Sequence, residues 1–153
     1  MTHRIRRALN SDCGELAKLL ALLWPEATAE EHGRDLEEII ATGTNGTLPV
    51  SVLVSEDGGE VLTGFIEVGL RSHADGCDTK RPVGFIEGWF VAEPFRNRGI
   101  GRDLMCAAEV WARDQGCVEM ASDALIDNDP SLRAHRAMGF EVVDRCVHFK
   151  KTL

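Results

Sequence analysis

A mixed α/β fold is predicted: one mostly antiparallel central sheet with helices on both faces, in a single domain covering residues 1–153. Three observations predict it. Apolar residues recur first with strand, then helical, then strand spacing, and the last third alternates helix and strand. Glycines and prolines stand where the period changes. A chain of 153 residues can bury one core without metal or disulfide staples.

Residues 2–8 read as the first strand. Asn10-Ser11-Asp12 supplies capping residues, with Glu15 three beyond Asp12. Leu16, Leu19, Leu20 and Leu23 then follow at helical spacing, and Pro25 ends the helix. Thr28-x-x-Glu31 is a second capping-box pattern, Leu36, Ile39 and Ile40 form an apolar stripe, and Gly43 is the stop. From Pro49 the period changes: Val50, Val52 and Val54 alternate with Ser51, Leu53 and Ser55. Asp57-Gly58-Gly59 is a hairpin turn, and 61–71 is the returning strand. Residues 72–82 form a polar loop of a length that is usually functional.

Residues 83–92 read as a buried strand ended by Pro94. Arg96-Asn97-Arg98-Gly99-Ile100-Gly101-Arg102 follows and opens a helix over 101–115, with Leu104, Ala107, Ala108 and Trp111 on one face. Strand, two-glycine turn and helix together make an anion site. Glycines let backbone N–H groups approach a bound group, and the helix start adds unpaired donors and partial positive charge. Phosphate or pyrophosphate suits it best. The arginines at 96, 98 and 102 add charge. The order is neither that of a Walker loop nor G-x-G-x-x-G. Gly116 stops the helix, 117–124 is a strand, and Asp129-Pro130 caps a short helix over 132–138 stopped by Gly139. Residues 140–150 read as a final strand or hairpin.

A net charge of −8 argues against a nucleic-acid partner and suits a protein holding an anionic cofactor and a cationic substrate. No apolar run approaches membrane-spanning length and the basic start lacks a signal-peptide stretch, so a cytoplasmic protein is expected. Cysteines at 13, 77, 106, 117 and 146 are odd in number and lack metal spacing, as do the histidines, so neither disulfide nor metal is expected.

The element order and the Arg96-x-x-Gly99-x-Gly101 turn resemble the GNAT family of N-acetyltransferases, and Ala137-Met138-Gly139-Phe140 resembles the family's ending. Leu23-Trp24-Pro25, the run from Phe85 through Val91, and Glu119-Met120-Ala121-Ser122-Asp123 are similar to bacterial aminoglycoside 6′-N-acetyltransferases. The resemblance implies acetyl-CoA as co-substrate, with Arg96, Arg98, Gly99, Ile100, Gly101 and Arg102 around its pyrophosphate. It also implies that Trp89, Phe90 and Val91 lie along the pantetheine arm, where two strands splay beside a bulge. Gly88 suits that bulge. Asn128 matches the asparagine that contacts the cofactor arm, though it also reads as a plain turn residue.

Glu87 lies mid-strand among apolar residues and glycine, so it must meet a partner, water or a ligand. An arginine is the structural alternative. Asp123 stands at the end of a neighbouring strand. Both are candidate catalytic and substrate-binding residues, because an alkyl ammonium must be held and must lose a proton before it attacks a thioester. By resemblance Trp24 and Asp144 add to the substrate pocket, though Trp24 equally reads as a core aromatic and Asp144 as a solvent-facing strand residue, and His73, Asp75 and Asp78 make the 72–82 loop a candidate wall. Many family members carry a tyrosine four residues before the glycine of the Gly-Phe ending as general acid. This chain has none, and His135 takes that position as a possible acid or an inert surface residue. The expected activity is direct acetyl transfer to the 6′-amine of an aminoglycoside, conferring antibiotic resistance, by a homodimer. The alternatives are acetylation of another cationic amine (a polyamine, a small amine or a protein terminus) and a non-catalytic acetyl-CoA-binding module.

Overall fold

The computed structural model describes residues 2–58 and 61–153. The expected turn at Asp57-Gly58-Gly59 lies partly outside the described residues. Ten elements follow in order: β1 (Arg4–Arg7), α1 (Cys13–Leu23), α2 (Ala29–Thr42), β2 (Thr44–Asn45), β3 (Leu48–Glu56), β4 (Leu62–Arg71), β5 (Val83–Val91), α3 (Ile100–Asp114), β6 (Met120–Ser122) and α4 (Asp129–Ala137). The sheet order is β1-β3-β4-β5-β6, with β2 also paired to β3. All pairings are antiparallel except β5 with β6, which is parallel.

The sheet separates two apolar layers. Leu16, Ala17, Leu20 and Leu36 of α1 and α2 pack with Val52, Val54, Leu62 and Phe65 on one face. Leu104, Met105, Ala108 and Trp111 of α3 pack with Leu53, Ile66, Val68 and Ile86 on the other. Residues 50–55 are therefore buried on both faces, and Ser51 and Ser55 are buried despite their polarity. The alternation of valine and serine reflects two covered faces, not one wet one. Ser55 is satisfied by the Thr63 hydroxyl at 2.9 Å.

Of the first two helix starts, one follows its sequence and the other does not. At α2 the Glu31 amide donates to Thr28 Oγ1 at 3.2 Å and the Thr28 amide donates to Glu31 Oε2 at 2.8 Å, the reciprocal box that the sequence predicts. Asp12 makes no side-chain cap to α1. It accepts instead from the Leu9 amide and from the Arg6 guanidinium, each at 2.7 Å, while Glu15 pairs with Lys18. A nearby arginine outcompetes the local cap. The Arg6 hydrogen bond holds the Asp12 carboxyl below the usual carboxylate range.

Near the C-terminus the observed elements depart from the sequence reading, the last helix starting at Asp129 and not at 132. The strand expected over 117–124 shrinks to Met120–Ser122, the only stretch alongside Gly84–Ile86. The last helix is capped by Asn128, which accepts from the Ser131 amide, rather than by Asp129. Residues 140–150 form no strand. That segment is exposed beyond Phe140, because a strand needs a neighbour and no main-chain hydrogen bond from another described strand reaches it.

Candidate active site

The site is organised by one extra residue in β5. Glu67 of β4 faces Gly88, and the next β4 residue, Val68, faces Ile86, so Glu87 is the bulged residue. Ile86 and Trp89 both pack into the α3-side core although they are three residues apart. Regular alternation forbids that, so the bulge turns Glu87 and Gly88 together to the α1/α2 face. Gly88 is required there. A Cβ at this position would lie 2.6 Å from Cη2 of the Trp24 indole. Trp24, at the end of α1, packs tilted against Phe65 and His32.

Glu87 has the structural partner foreseen as its alternative. Arg71 Nε and Nη2 donate to its two carboxylate oxygens at 2.9 and 2.7 Å. The guanidinium lies 3.5 Å above the Phe85 ring. The Glu87 hydrogen bonds hold the Arg71 proton more tightly, and the charge of Asp123 adds to this. Asp123 is exposed, one residue past β6. Glu87, Asp123 and Arg71 are thus brought together. The fork is the strong bidentate form, and it leaves the carboxylate partly accessible.

Sequence reasoning missed Arg71 and Glu67. Glu67 is 9% exposed, and its carboxyl is pushed up to about 7, by burial first and then by the charges of Glu87 and Asp35. The signal that identified Glu87 was present here as well: one carboxylate in the apolar run Gly64-Phe65-Ile66-Glu67-Val68.

On the other side of the bulge β5 loses its neighbour. Pairing to β6 ends at Ile86–Ser122, which leaves Glu87 through Val91 without a strand on that side. The arginine turn follows. Asn97 and Gly99 take positive φ values of 61° and 81°, and Gly99 is the N-cap of α3 without a side-chain cap. The first helical hydrogen bond of the turn is Asp103 N–H to the Gly99 carbonyl at 3.0 Å. The amides of Ile100, Gly101 and Arg102 are then the free donors of a helix start. Trp89 Nε1 donates to the Gly101 carbonyl at 3.0 Å and ties the turn to the sheet. Arg96 Nε donates to the Val91 carbonyl at 2.9 Å, and its guanidinium carbon lies 5.7 Å from the Phe90 ring centroid. Arg98 lies over Phe95, and Arg102 approaches Asp103 at 3.6 Å. An uncapped helix start beside an unpaired strand edge fits a pyrophosphate followed by an extended amide-bearing arm.

The remaining candidates are placed as follows. Asn128 is exposed and spends its side-chain oxygen on the α4 cap, leaving its amide nitrogen as the group that can reach a ligand. His135 Nδ1 lies 2.8 Å from the Ser131 carbonyl and Nε2 lies 2.8 Å from Ser122 Oγ. The carbonyl can only accept, so Nδ1 carries the hydrogen and Nε2 accepts from the hydroxyl. The ring also packs edge-on to Trp89 and Phe140. Asp144 is exposed on the C-terminal segment, where Oδ1 accepts from the Arg145 amide. That segment meets the 72–82 loop at Val143, whose Cβ lies 2.8 Å from where a Cβ on Gly76 would stand. Asp78 anchors the loop by donating its amide to Glu119 Oε1 at 2.8 Å. Burial pushes the Cys13 and Cys117 thiols up, so neither is an activated nucleophile.

Residues 15–140 match the model of the acetyltransferase (GNAT) family. The chain is 38% identical over 150 residues to an aminoglycoside N(6′)-acetyltransferase type 1 of Stenotrophomonas maltophilia, covering 97% of this chain and 93% of that protein. It is 36% identical to one of Klebsiella aerogenes, covering 97% and 96%. Among solved structures, AAC(6′)-Iy in complex with the bisubstrate analog CoA-S-monomethyl-acetylneamine superposes with a TM-score of 0.88 at 31% identity, covering 100% of both chains. AAC(6′)-Ih from Acinetobacter baumannii gives 0.86 at 30% identity, covering 99% of both. With the family model spanning most of the chain and near-full-length relatives above 30% identity, this protein belongs to the GNAT family of acetyltransferases.

Proposed function

We propose that the protein transfers the acetyl group of acetyl-CoA directly to the 6′-amine of an aminoglycoside. One observation carries the reading: the bulge turns Glu87 toward Arg71 and Asp123 on the face flanked by Trp24, where β5 loses its β6 neighbour. Acidic groups beside an acyl-donor site select a polycation. The relatives named for this activity support the same choice.

The free amides at the start of α3 hold the pyrophosphate, and Arg98 and Arg102 add charge. Main-chain groups of Phe90 and Val91 hold the pantetheine arm, and Asn128 reaches it through its amide nitrogen. Trp89 and Arg96 position the turn by their bonds to Gly101 and Val91. Glu87 and Asp123 bind the ammonium groups of the drug, and Trp24 forms the apolar wall. Asp144 enters the pocket from the C-terminal segment. We assign His135 a bracing role between α4 and β6. A departing thiolate does not require it, since thiols ionise near 8.5. Acetyl-CoA supplies the activated acetyl group when bound.

We also infer a homodimer working in the cytoplasm. Val143, Val147, Phe149 and Leu153 are all exposed in the single chain, and an apolar extended segment of this kind is readily covered by a second copy. Five free thiols suit a reducing compartment. The experiment is thiol release from acetyl-CoA with kanamycin, spermidine or a peptide amine as acceptor, with the product located by NMR. Acetyl on the 6′ nitrogen of kanamycin is the expected result. Turnover with spermidine or the peptide alone would replace the drug by another cation, and no turnover with any amine would favour a binding module.

A further inference from the structure

We propose that Glu67 is the group that takes the proton from the attacking ammonium, a role that rests on the acetyl-transfer reading above. Three geometric facts lead there. Glu67 stands directly across from Gly88, so no side chain on β5 covers it at that level. It shares the α1/α2 face with Phe65, Trp24 and the turned-out Glu87. Its carboxyl makes no hydrogen bond to any described residue, yet among the described residues no polar side-chain atom is both sealed from solvent and without a partner. The carboxyl oxygens of a residue 9% exposed therefore keep a narrow contact with solvent. A buried carboxyl without a partner is costly to keep, and a fold retains one at low cost only when a ligand or proton completes it.

The neighbouring charges divide the labour. Glu87 is committed to the Arg71 fork and holds a fixed charge for binding. Among the described residues no cation pairs with Glu67. Glu87 on β5 and Asp35 on α2 face it with like charge, Arg71 spends its fork on Glu87, and the charge of Asp123 acts on Arg71. His32, also on α2, is turned to the Trp24 carbonyl at 3.0 Å. A carboxyl at about 7 exchanges a proton readily near neutral pH, whereas its ion-paired neighbour is kept for charge.

The step balances as follows. One proton of the drug ammonium passes to a Glu67 carboxylate oxygen, directly or through one water. The freed nitrogen lone pair forms the N–C bond to the acetyl carbonyl carbon. The C–S bond breaks with its electron pair on sulfur, a second nitrogen proton ends on that thiolate, and Glu67 returns its proton to water.

Two measurements test this. Glu67→Gln keeps shape and removes the base. Kinetics with acetyl-CoA and kanamycin from about pH 6 to 9, spanning the range in which a group near 7 titrates, should show kcat lower by roughly a hundredfold or more at neutral pH. The loss should shrink as pH rises, the wild-type acidic limb should disappear, and KM for kanamycin should change only a few-fold. A variant that folds and keeps the wild-type kcat and acidic limb overturns the assignment while leaving the acetylation reading intact. A wild type inert toward every amine overturns both. The second measurement uses the wild type alone. With glutamate labelled by carbon-13 at Cδ, the Glu67 signal should titrate near neutrality and move to lower pH when kanamycin binds without acetyl-CoA, because nearby ammonium groups favour the carboxylate. A Glu67 carboxyl that ignores the drug is out of its reach, which overturns the proposal even where Glu67→Gln fails to fold.

Discussion

Glu87 and Glu67 differ by their neighbours, not by their chemistry. Replacing Glu87 or Asp123 by the isosteric amide should weaken aminoglycoside binding about ten- to a hundredfold, the cost of one charged hydrogen bond, and leave CoA affinity nearly unchanged. Calorimetry with each ligand checks both halves. Glu87→Gln should also lower the pH at which Glu67 titrates, because the Glu87 charge is one of the causes that raises it. Glu67 further makes the fold pH-dependent in a defined direction. Its folded-state value of about 7 exceeds the ordinary 4.5, so between those values the native state binds more protons than the unfolded chain. Stability attributable to this residue therefore falls as pH rises from 4.5 to 7, by about 3 kcal/mol at most. Glu67→Gln should raise the urea midpoint at pH 8 and leave it nearly unchanged at pH 4. Asp12 runs the other way: its lowered carboxyl contributes stability above the ordinary 3.8 that is lost on acidification.

At the scale of elements, the start of α3 and the bulge of β5 frame the proposed site. A Cβ on Gly101 would meet the Trp89 ring at 3.5 Å, which is ordinary contact, so Gly101→Ala should fold and bind CoA. Gly101→Asp should fold and lose CoA affinity strongly, since a carboxylate would face the pyrophosphate. Unchanged affinity in calorimetry would remove the anion role from residues 96–102. Gly99 differs because of its φ of 81°. Gly99→Ala should cost about 1–2 kcal/mol from the left-handed backbone alone, read in thermal melts. The loop-to-helix glycines were legible in the sequence because their chemistry is local. The partners of Arg96 and Trp89 were not, since each bond spans a turn whose shape is set by the sheet.

For the whole molecule, the exposed C-terminal segment is the feature least explained by one chain. Removing residues 141–153 should convert a dimer to a monomer in sedimentation, with the two core layers preserved by circular dichroism. A truncated protein of unchanged mass class would mean that the dimer forms elsewhere. Two large cores on opposite faces of the sheet, each with its own helices, account for the fold without this segment.

The sequence by itself determined the order of the main elements as far as α4, the box at Thr28 and Glu31, the two-glycine turn that opens α3 and the prominence of Glu87. Each rests on residues a few positions apart, where periodicity, capping and turn chemistry act. Tertiary structure decided the rest. It gave Asp12 to Arg6 rather than to a helix, shortened the strand after Gly116 to the part with a neighbour, and left 140–150 without a strand. It also paired Glu87 with Arg71 and brought Glu67 within reach of the Glu87 charge, because strand register joins residues 16 or 20 positions apart and a single bulge chooses which face they share.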